Sequence, residues 1–289
     1  MQIVIDSGVD IVLPDEEKQK LNYHVVPLVV SLDGGSYRED IDIQKDQFFE
    51  LLETSQQMPV TSQPSVGDFA DMYKELARTD PDILSIHISS GLSGTVNAAR
   101  TAAEMVPEAN VTVVDTMTLS AAAGWVAEAA GRAINAGWPK EKILQLIEQV
   151  KAATYIFYTL NDLKYLIHGG RISHMKGLIA SLLHIKPMIG IEKEFGKYVQ
   201  LGQARSFERA VKGIVNLITE LYQSGSELRV QVMHSQNLSG AQMLKEQVEK
   251  VFKCTWLPVG RLSLVLGAHT GPSMVGVAFA PRALFAELP

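Results

Sequence analysis

The chain has 289 residues, of which 46% are hydrophobic and 20% charged, with a formal net charge of −6 and a single cysteine, Cys254. Length and composition fit a globular protein of about two domains. The acidic charge argues against a nucleic-acid-binding surface, and one cysteine excludes a disulfide framework and a thiolate metal cluster. No apolar run approaches the roughly 20 residues that span a bilayer, and the opening MQIVIDSG has no basic leader, so we expect a cytoplasmic protein.

The first half of the chain alternates predicted strands with predicted helices. The apolar, β-branched run 2–6 predicts a strand, and 24–30 (HVVPLVV) predicts another in which Pro27 indicates a sheet edge or a bulge. The segment Asp33-Gly34-Gly35 is a turn signal. Apolar patterns further predict strands over 83–88 and 111–114, and helices over 42–53, 66–78, 96–106, 120–136 and 140–151. This alternation is typical of an α/β domain with a mostly parallel sheet.

The second half has a different pattern. Residues 186–191 and 197–201 predict a β-hairpin around 192–196. Other apolar segments predict strands over 228–234, 255–260 and 274–280, and helices over 207–223 and 239–253. We therefore expect an α/β protein of two domains, a mostly parallel N-terminal domain over 1–158 and a smaller α+β domain over 159–289, with a ligand cleft between them.

Four short segments share a composition of Ser, Thr, Gly and a few cations, and each follows an apolar stretch. They are 61–65 (TSQPS), 89–95 (SSGLSGT), 169–173 (GGRIS) and 267–272 (GAHTGP). Such loops gather at the edge of an α/β sheet, where hydroxyls, N–H groups and cations suit a carboxylate or phosphate. In the second segment Ser93 or Thr95 is the expected N-cap of the following helix. Taken alone, that segment is better explained as an ordinary strand–helix turn with a capping Ser.

Common enzyme motifs are absent from the sequence: it has no GxGxxG, GxxxxGK[ST] or HExxH. The segment GLSGT around Ser93 differs from the nucleophile elbow GxSxG only in its last residue. A serine hydrolase with the triad Ser93, Asp115 and His269 is therefore one alternative, and a binder of a small anion such as a phosphorylated metabolite is another. His269 is expected in a Gly-flanked loop, where a ligand role and a plain turn role are both open. The other histidines of apolar segments, expected to be structural or surface residues, are His24, His87, His184 and His234.

These segments, in this order, resemble the DegV family, the fatty-acid-binding proteins that present an acyl chain to a bacterial fatty acid kinase. The resemblance runs from about residue 3 to about residue 280. Each motif by itself is a weak indication of the family, but eight of them in the same order are specific. The motifs are Ile5-Asp6-Ser7, Val26-Pro27-Leu28, TSQPS (61–65), ISSGLSGT (88–95), Val114-Asp115-Thr116, GGRIS (169–173), Lys186-Pro187 and His269-Thr270-Gly271-Pro272.

The resemblance implies that a fatty acid lies between the two domains. Ser93 and Thr61 would hydrogen-bond its carboxylate, helped by backbone N–H groups near Ser62, Gly94 and Thr270. The implied partners are a long-chain fatty acid, a fatty acid kinase and an acyltransferase, with only transient membrane contact and no nucleic acid. No cofactor, no metal and no enzyme activity of its own are implied.

The resemblance also implies roles for residues around that carboxylate site. His269 would orient the hydrogen bonds, and Arg171 and Arg205 would lie near the mouth, where a kinase or an acyl-phosphate meets them. Two residues depart from the family pattern. Ser273 stands where Gly is frequent, which would alter the loop, and His168 stands where Lys is common, which would alter the charge facing the kinase.

An acyl tail needs an apolar channel. The run 175–183 (MKGLIASLL), with Ile185, Met188 and Ile189, is expected to line it, although the periodicity of the run favours an amphipathic core helix ending before Pro187; both can hold at once. Each buried CH₂ contributes roughly 0.8 kcal/mol, so a C16 tail offers about 12 kcal/mol before ordering costs. Neutral donors can then bind the head and leave the carboxylate nucleophilic, as phosphoryl transfer to it requires.

Overall fold

The computed structural model of the protein describes residues 1–175, 185–286 and 288. The strands of this part of the chain are β1 (Gln2–Asp6), β2 (Tyr23–Val26), β3 (Val29–Leu32), β4 (Gly35–Arg38), β5 (Val60–Ser62), β6 (Asp82–His87), β7 (Asn110–Asp115), β8 (Tyr155–Thr159), β9 (Lys186–Ile191), β10 (Tyr198–Ala204), β11 (Glu227–His234), β12 (Lys253–Trp256), β13 (Gly260–Arg261) and β14 (Val275–Pro281). Its helices are α1 (Asp15–Lys20), α2 (Lys45–Thr54), α3 (Val66–Ala77), α4 (Thr95–Met105), α5 (Ser120–Asn135), α6 (Lys140–Ala153), α7 (Lys164–His168), α8 (Phe207–Leu221), α9 (Leu238–Glu249), α10 (Leu264–Thr270) and α11 (Ala283–Ala286).

The first sheet is parallel, as the alternating pattern predicts. Its four strands lie in the order β2-β1-β6-β7, and every neighbouring pair is parallel. The central strands β1 and β6 are buried over almost their whole length, which explains their continuous apolar runs. The carboxyl ends of β1 and β6 therefore deliver Asp6 and His87 to the same edge of the sheet, next to the loops that carry Ser7 and Ser93.

The second sheet is mixed. Its main path has the order β10-β9-β8-β14-β11-β12, with antiparallel pairs except for β11 with β12, and β13 pairs parallel with β11. The predicted hairpin is confirmed in β9 and β10. Since β8 belongs to this sheet, the chain passes from the first sheet to the second before Tyr155. The molecule is thus an α/β protein with a parallel N-terminal and a mixed C-terminal sheet, while the division into domains at 158/159 stays a prediction.

Two predicted strands are each split at a proline. The run 24–30 is not one strand: β2 pairs in the parallel sheet, whereas β3 pairs with β4 and β5 in a separate antiparallel sheet of three strands. The run 255–260 is likewise divided, because β12 ends at Trp256 and β13 begins at Gly260. Pro27 and Pro258 stand in these gaps, and a residue without an N–H cannot donate to a strand ladder.

The hairpin of the small sheet confirms the predicted turn. β3 and β4 are joined by two residues, Asp33 and Gly34, with φ of 49° and 77°. Left-handed conformations at both positions match the twist of the strands that they connect. The third strand, β5, pairs with β3 so that Thr61 lies opposite Val30.

Helix α5 lies at the centre of the molecule, because it packs against strands of both sheets. Most of its side chains are buried, and most of these are alanines, which allow close approach. Trp125 donates from Nε1 to Oε1 of Gln231 at 2.8 Å, joining the helix to β11. The carboxylate of Glu128 pairs with the buried Arg229 of β11 and with Arg132 at 3.0 Å. One continuous apolar cluster therefore runs from the first sheet through α5 into the second.

Among the helices of the described residues, none combines the length and the apolar character that crossing a bilayer requires.

Replacement of Gly124 tests this packing. A Cβ at Gly124 would lie 2.1 Å from the backbone oxygen of Asp10, so Gly124→Ala must displace the backbone of one element. We expect Gly124→Ala to lower the free energy of unfolding by about 1–3 kcal/mol, measured by denaturant titration. The matched control is Gly67→Ala in α3, where the nearest atom lies 3.5 Å from the new Cβ. The control should be neutral or stabilising, and equal stability of the two variants would contradict the packing.

Candidate functional site

All four predicted Ser/Thr/Gly segments contribute residues to one cavity between the two sheets. The last of them, 267–272, lies mostly within α10. Its volume is about 30 Å³. The lining residues are Leu28, Thr61, Ser62, Gln63, Ile88, Leu92, Ser93, Leu119, Arg171, Tyr198, Val265, Leu266 and His269. The structure therefore brings together five of the predicted site residues, which come from positions far apart in the sequence.

A hydrogen bond between Thr61 and His269 marks one wall of the cavity. Thr61 lies in β5, and its Oγ1 is 2.8 Å from Nε2 of His269. The sequence pattern predicts His269 in a loop, and this prediction is wrong. His269 lies in the last turn of α10, where it is buried. Burial, assisted by the nearby charges of Arg171 and His168, lowers the pKa of His269 to about 4. The ring is therefore neutral at physiological pH.

Another part of the cavity wall is the loop that leads from β6 into α4. The Oγ of Ser93 lies 2.8 Å from Oγ1 of Thr95 and accepts a hydrogen bond from the N–H of Thr95 at 3.3 Å. The N-cap of α4 is Gly94, so the expectation of Ser93 or Thr95 at that position is wrong by one residue. A Cβ at Gly94 would lie 1.9 Å from Oε1 of Gln63. Glycine at 94 thus lets the segment after β5 pack over the start of α4.

The segment GGRIS closes the cavity from the side of α7. Arg171 donates from Nη1 to the carbonyl of Gly169 and lies with Nε 3.5 Å from the carbonyl oxygen of Leu92. A Cβ at Gly169 would lie 2.2 Å from Nδ1 of His269. Because no side chain intervenes at this position, the backbone packs directly on the imidazole ring. This contact and the bond to Thr61 hold the ring from two directions.

Buried carboxyl groups hold the other end of α10. Asp10 accepts at Oδ1 from the N–H of Ser263 at 3.1 Å, and Glu39 accepts at Oε2 from the N–H of Leu264 at 2.7 Å. These N–H groups belong to the start of the helix, where negative charge is favourable. Nothing in the motif pattern singled out Asp10 or Glu39, because their partners lie more than 200 residues away.

Three predicted site residues, Gly94, Thr270 and Arg205, do not line this cavity. Thr270 is buried, and its Oγ1 donates to the carbonyl of Leu266 at 3.0 Å and lies 3.4 Å from Oγ of Ser235. Arg205 is exposed between β10 and α8. The contribution of N–H groups near Ser62, Gly94 and Thr270, and the role of Arg205 at the mouth, stay predictions.

The triad of a serine hydrolase is not assembled at this site. Asp115 accepts hydrogen bonds from the N–H groups of Ser90 at 3.2 Å and Met117 at 3.0 Å. His269 is bonded through Nε2 to Thr61, and Ser93 is bonded to Thr95. Within the described residues no hydrogen bond joins Ser93 to His269 or His269 to Asp115, so the nucleophile lacks its base.

A separate chain of buried polar groups crosses the first sheet. Nδ1 of His87 lies 3.1 Å from Oδ2 of Asp6, its Nε2 lies 2.7 Å from Oγ of Ser85, and that hydroxyl lies 2.8 Å from the hydroxyl of Tyr73. All four side chains are fully buried. The chain therefore satisfies interior polar groups and ties β1 to β6 and α3, in agreement with the structural role expected for His87.

The apolar lining of the cavity was largely missed from the sequence. Tyr198 on β10 and Val265 and Leu266 on α10 belong to no Ser/Thr/Gly motif, and only the fold brings them to the site. Of the residues expected to line an acyl tail, Met188 and Ile189 are buried in β9 and Ile185 is half-buried. The remainder of that expectation, over 176–183, lies outside the described residues.

The decisive comparison is with protein families. The model described as "Uncharacterised protein, DegV family" matches residues 1–282. This chain belongs to the DegV family.

Relatives with known names or structures agree with the membership. A DegV domain-containing protein of Staphylococcus aureus is 32% identical over 275 residues, covering 95% of this chain and 96% of that protein. The structure described as fatty acid binding of a DegV family protein from Thermus thermophilus is similar with a TM-score of 0.85 and 30% identity, over 97% of this chain and 99% of that one. The structure of DegV, a fatty acid binding protein from Bacillus subtilis, gives 0.84 and 28%, over 97% and 99%. The DegV fold thus extends over almost the whole chain.

The two departures from the DegV pattern lie close to the site loops. Ser273 accepts at Oγ from the N–H of Asn161 at 2.9 Å, and its carbonyl accepts from Asn237 at 2.9 Å. A serine here therefore links the loop after β8 to the loop after α10. His168 is exposed in the last turn of α7, one residue before Gly169.

The titration of His269 tests the burial of the site. The folded-state pKa of about 4 lies below the ordinary 6.5 of the unfolded chain, so between these values only the unfolded state takes up a proton. The free energy of unfolding should keep its full value above about pH 6.5. It should decrease by on the order of 3 kcal/mol as the pH is lowered toward 4. Denaturant unfolding across this range, compared with His269→Asn, measures the effect. Protonation of His269 near pH 6.5 in an NMR titration would contradict its burial.

Proposed function

We propose that this DegV protein binds a long-chain fatty acid between its two domains, with the carboxylate at Thr61 and Ser93, and presents it to a fatty acid kinase. The observation that carries the proposal is the hydrogen bond between Thr61 and the neutral, buried His269, in a cavity that Ser93 also lines. The DegV proteins of Thermus thermophilus and Bacillus subtilis described as fatty-acid-binding share this fold and support the choice of ligand.

The polarity of the hydrogen bonds suits a carboxylate, which accepts and does not donate. Thr61 can bind it only through its O–H, so its oxygen then accepts from Nε2–H of His269. This direction requires the Nε2–H tautomer of the neutral ring. The Oγ of Ser93 likewise accepts from the N–H of Thr95, and with the Thr95 hydroxyl donating to the same oxygen, the O–H of Ser93 is left for the carboxylate. Each hydroxyl is thus set to donate into the cavity.

Neutral donors also suit the chemistry that follows. A carboxylate paired directly with a buried arginine has its charge neutralised, whereas one held by hydroxyls keeps a nucleophilic oxygen. Arg171 lies in the wall, with its guanidinium directed to the carbonyls of Leu92 and Gly169. An oxygen of the bound carboxylate is then available to attack the phosphoryl group that the kinase supplies, forming an acyl-phosphate for an acyltransferase.

The tail requires movement of the cavity lining. A volume of about 30 Å³ accommodates about two waters and not an acyl chain. The side chains that must give way are apolar, among them Leu28, Leu119 and Val265. Their contact with the tail replaces their contact with one another, so apolar area stays buried and the opening costs little hydrophobic free energy.

The kinase would approach at the edge of the second sheet where β8, β10 and β11 end. β8 and β11 are both antiparallel to β14, and β8 and β10 are both antiparallel to β9, so the three strands run in the same direction. Ser235, just after β11, contacts Thr270, and Asn161, just after β8, contacts Ser273. Arg205 follows β10 and therefore lies at the same edge, exposed, in a position to meet a phosphate.

Removal of the two hydroxyls tests the carboxylate site. Ser93→Ala and Thr61→Val should each weaken palmitate binding at least about tenfold, because each removes a hydrogen bond to a charged group. Binding is measured by displacement of a fluorescent fatty acid and by native mass spectrometry of the copurified lipid. Thr54→Val is the matched control, since the Thr54 hydroxyl bonds to its own helix on the exposed face of α2.

Unchanged affinity in both variants would contradict the site. Turnover of a lipid ester by the wild-type protein, abolished in Ser93→Ala, would instead establish the hydrolase.

Charge reversal at Arg205 tests presentation to the kinase separately from binding. With a bacterial fatty acid kinase and ATP, Arg205→Glu should slow acyl-phosphate formation about tenfold while the Kd for palmitate is unchanged. Arg100→Glu, on the exposed face of α4, is the matched control and should leave the rate unchanged. Equal rates for both variants would contradict the proposed edge as the docking site.

A further inference from the structure

A second cavity, with a volume of about 240 Å³, lies beside the carboxyl end of β1 and shares no lining residue with the carboxylate cavity. Small-molecule sites begin at about 300 Å³, so this one fits a ligand of about the size of a single ring with a short chain. Its lining includes the apolar Ile5, Val12 and Ile41 and the charged Asp10, Glu39 and Lys45.

Part of the wall and rim of this second cavity is apolar. Ile5, Val9 and Ile11 are buried core residues. Val25 and Ile41, which also line the cavity, are 40% and 60% exposed, so both apolar side chains face solvent. Apolar side chains that face solvent around a concave site are typical of a surface that a ligand covers.

The polar groups of the cavity have more acceptors than donors. Asp10 accepts from Ser120 Oγ at 2.6 Å and from the N–H of Ser263, and Glu39 accepts from Lys45 at 3.0 Å and from the N–H of Leu264. An ionised carboxylate has about four acceptor positions, so about half of the capacity of each group is unused. Lys45 also donates to the carbonyl of Arg261 at 3.2 Å, which leaves it one N–H.

A positively charged ligand with several hydrogen-bond donors complements this excess of acceptors. We propose that the second cavity binds a small primary amine, with its ammonium group against Asp10 and Glu39 and its apolar body between Ile5, Val12 and Ile41. A metal ion does not fit, since the described residues contain no group of three acidic, histidine or cysteine side chains arranged to hold one. An anion would have to compete with Asp10 and Glu39 for Lys45.

Protonation of Asp10 links amine binding to pH. Burial raises its pKa to about 7, Lys45 opposes that shift and Glu39 adds to it; the other charged side chains that line the cavity are Asp6, Lys18 and Asp40. An ammonium ion favours the ionised form of Asp10, so uptake of the amine releases a proton. Amine binding should therefore be tighter at about pH 8.5 than at about pH 5.5, because the amine itself, like lysine, loses its proton only near pH 10.

The test compares probes that differ only in the polar group. Binding of phenethylamine, 2-phenylethanol and 3-phenylpropanoate to the full chain is measured by calorimetry and by ligand-observed NMR. We expect the amine to bind at least about tenfold more tightly than the alcohol and the acid not to bind. Equal binding of the amine and the alcohol, or saturable binding of none of the three, would overturn the proposal.

A substitution at the rim tests the location without disturbing the capped helix. Ile41→Lys places a cation at the mouth and should weaken amine binding at least about tenfold, whereas Met105→Lys, at a side chain also 60% exposed and outside the cavity, should not. An unchanged affinity in Ile41→Lys would place the amine elsewhere and overturn the site. The Kd for palmitate is measured in parallel, and its outcome bears on the carboxylate site alone.

Discussion

The hydrogen bond between Thr61 and His269 joins residues 208 positions apart, and it fixes one wall of the cavity between the two sheets. Thr61 reaches that position because β5 pairs with β3 in the small antiparallel sheet. His269 reaches it because α10 ends against the backbone of Gly169, with no side chain between them. Three separate parts of the fold must therefore be in place before one polar contact forms, which makes the site a property of the packed molecule.

Both ends of helix α10 are held in place by buried ionisable side chains, whose charged forms are unfavourable in a protein interior. At its start, the carboxyl groups of Asp10 and Glu39 accept hydrogen bonds from N–H groups that have no partner within the helix. At its end, the imidazole of His269 is neutral because burial penalises its charged form. Asp10 and Glu39 do not line the cavity of Thr61 and His269, whose polar lining consists of neutral groups and Arg171.

Much of the fold could be predicted from local patterns. The parallel strands β1 and β6 have continuous apolar runs, and Asp33-Gly34 forms the turn that its left-handed preference indicates. Errors arose where local apolar character continued across an interruption: Pro27 and Pro258 each stand where the chain leaves one strand and begins another. The segment around His269 was interpreted as a loop because its glycines suggest a turn, yet Gly267 lies inside α10, where a side chain would collide with Phe49. Local propensity was overruled there by tertiary packing.

By itself, the sequence determined the fold class, the family and the polar residues of the site, because β-branched runs, turn residues and ordered motifs are local properties of the chain. Only the tertiary structure decided which of these residues meet. It placed Thr61, Ser93 and His269 around one cavity and left Arg205 exposed after β10. It also showed that Asp115 accepts from the N–H groups of Ser90 and Met117 and is not bonded to a histidine. It also created the second cavity beside Asp10. The physical reason is that hydrogen bonds, burial and pKa shifts arise from contacts between residues distant in the chain, which no local pattern contains.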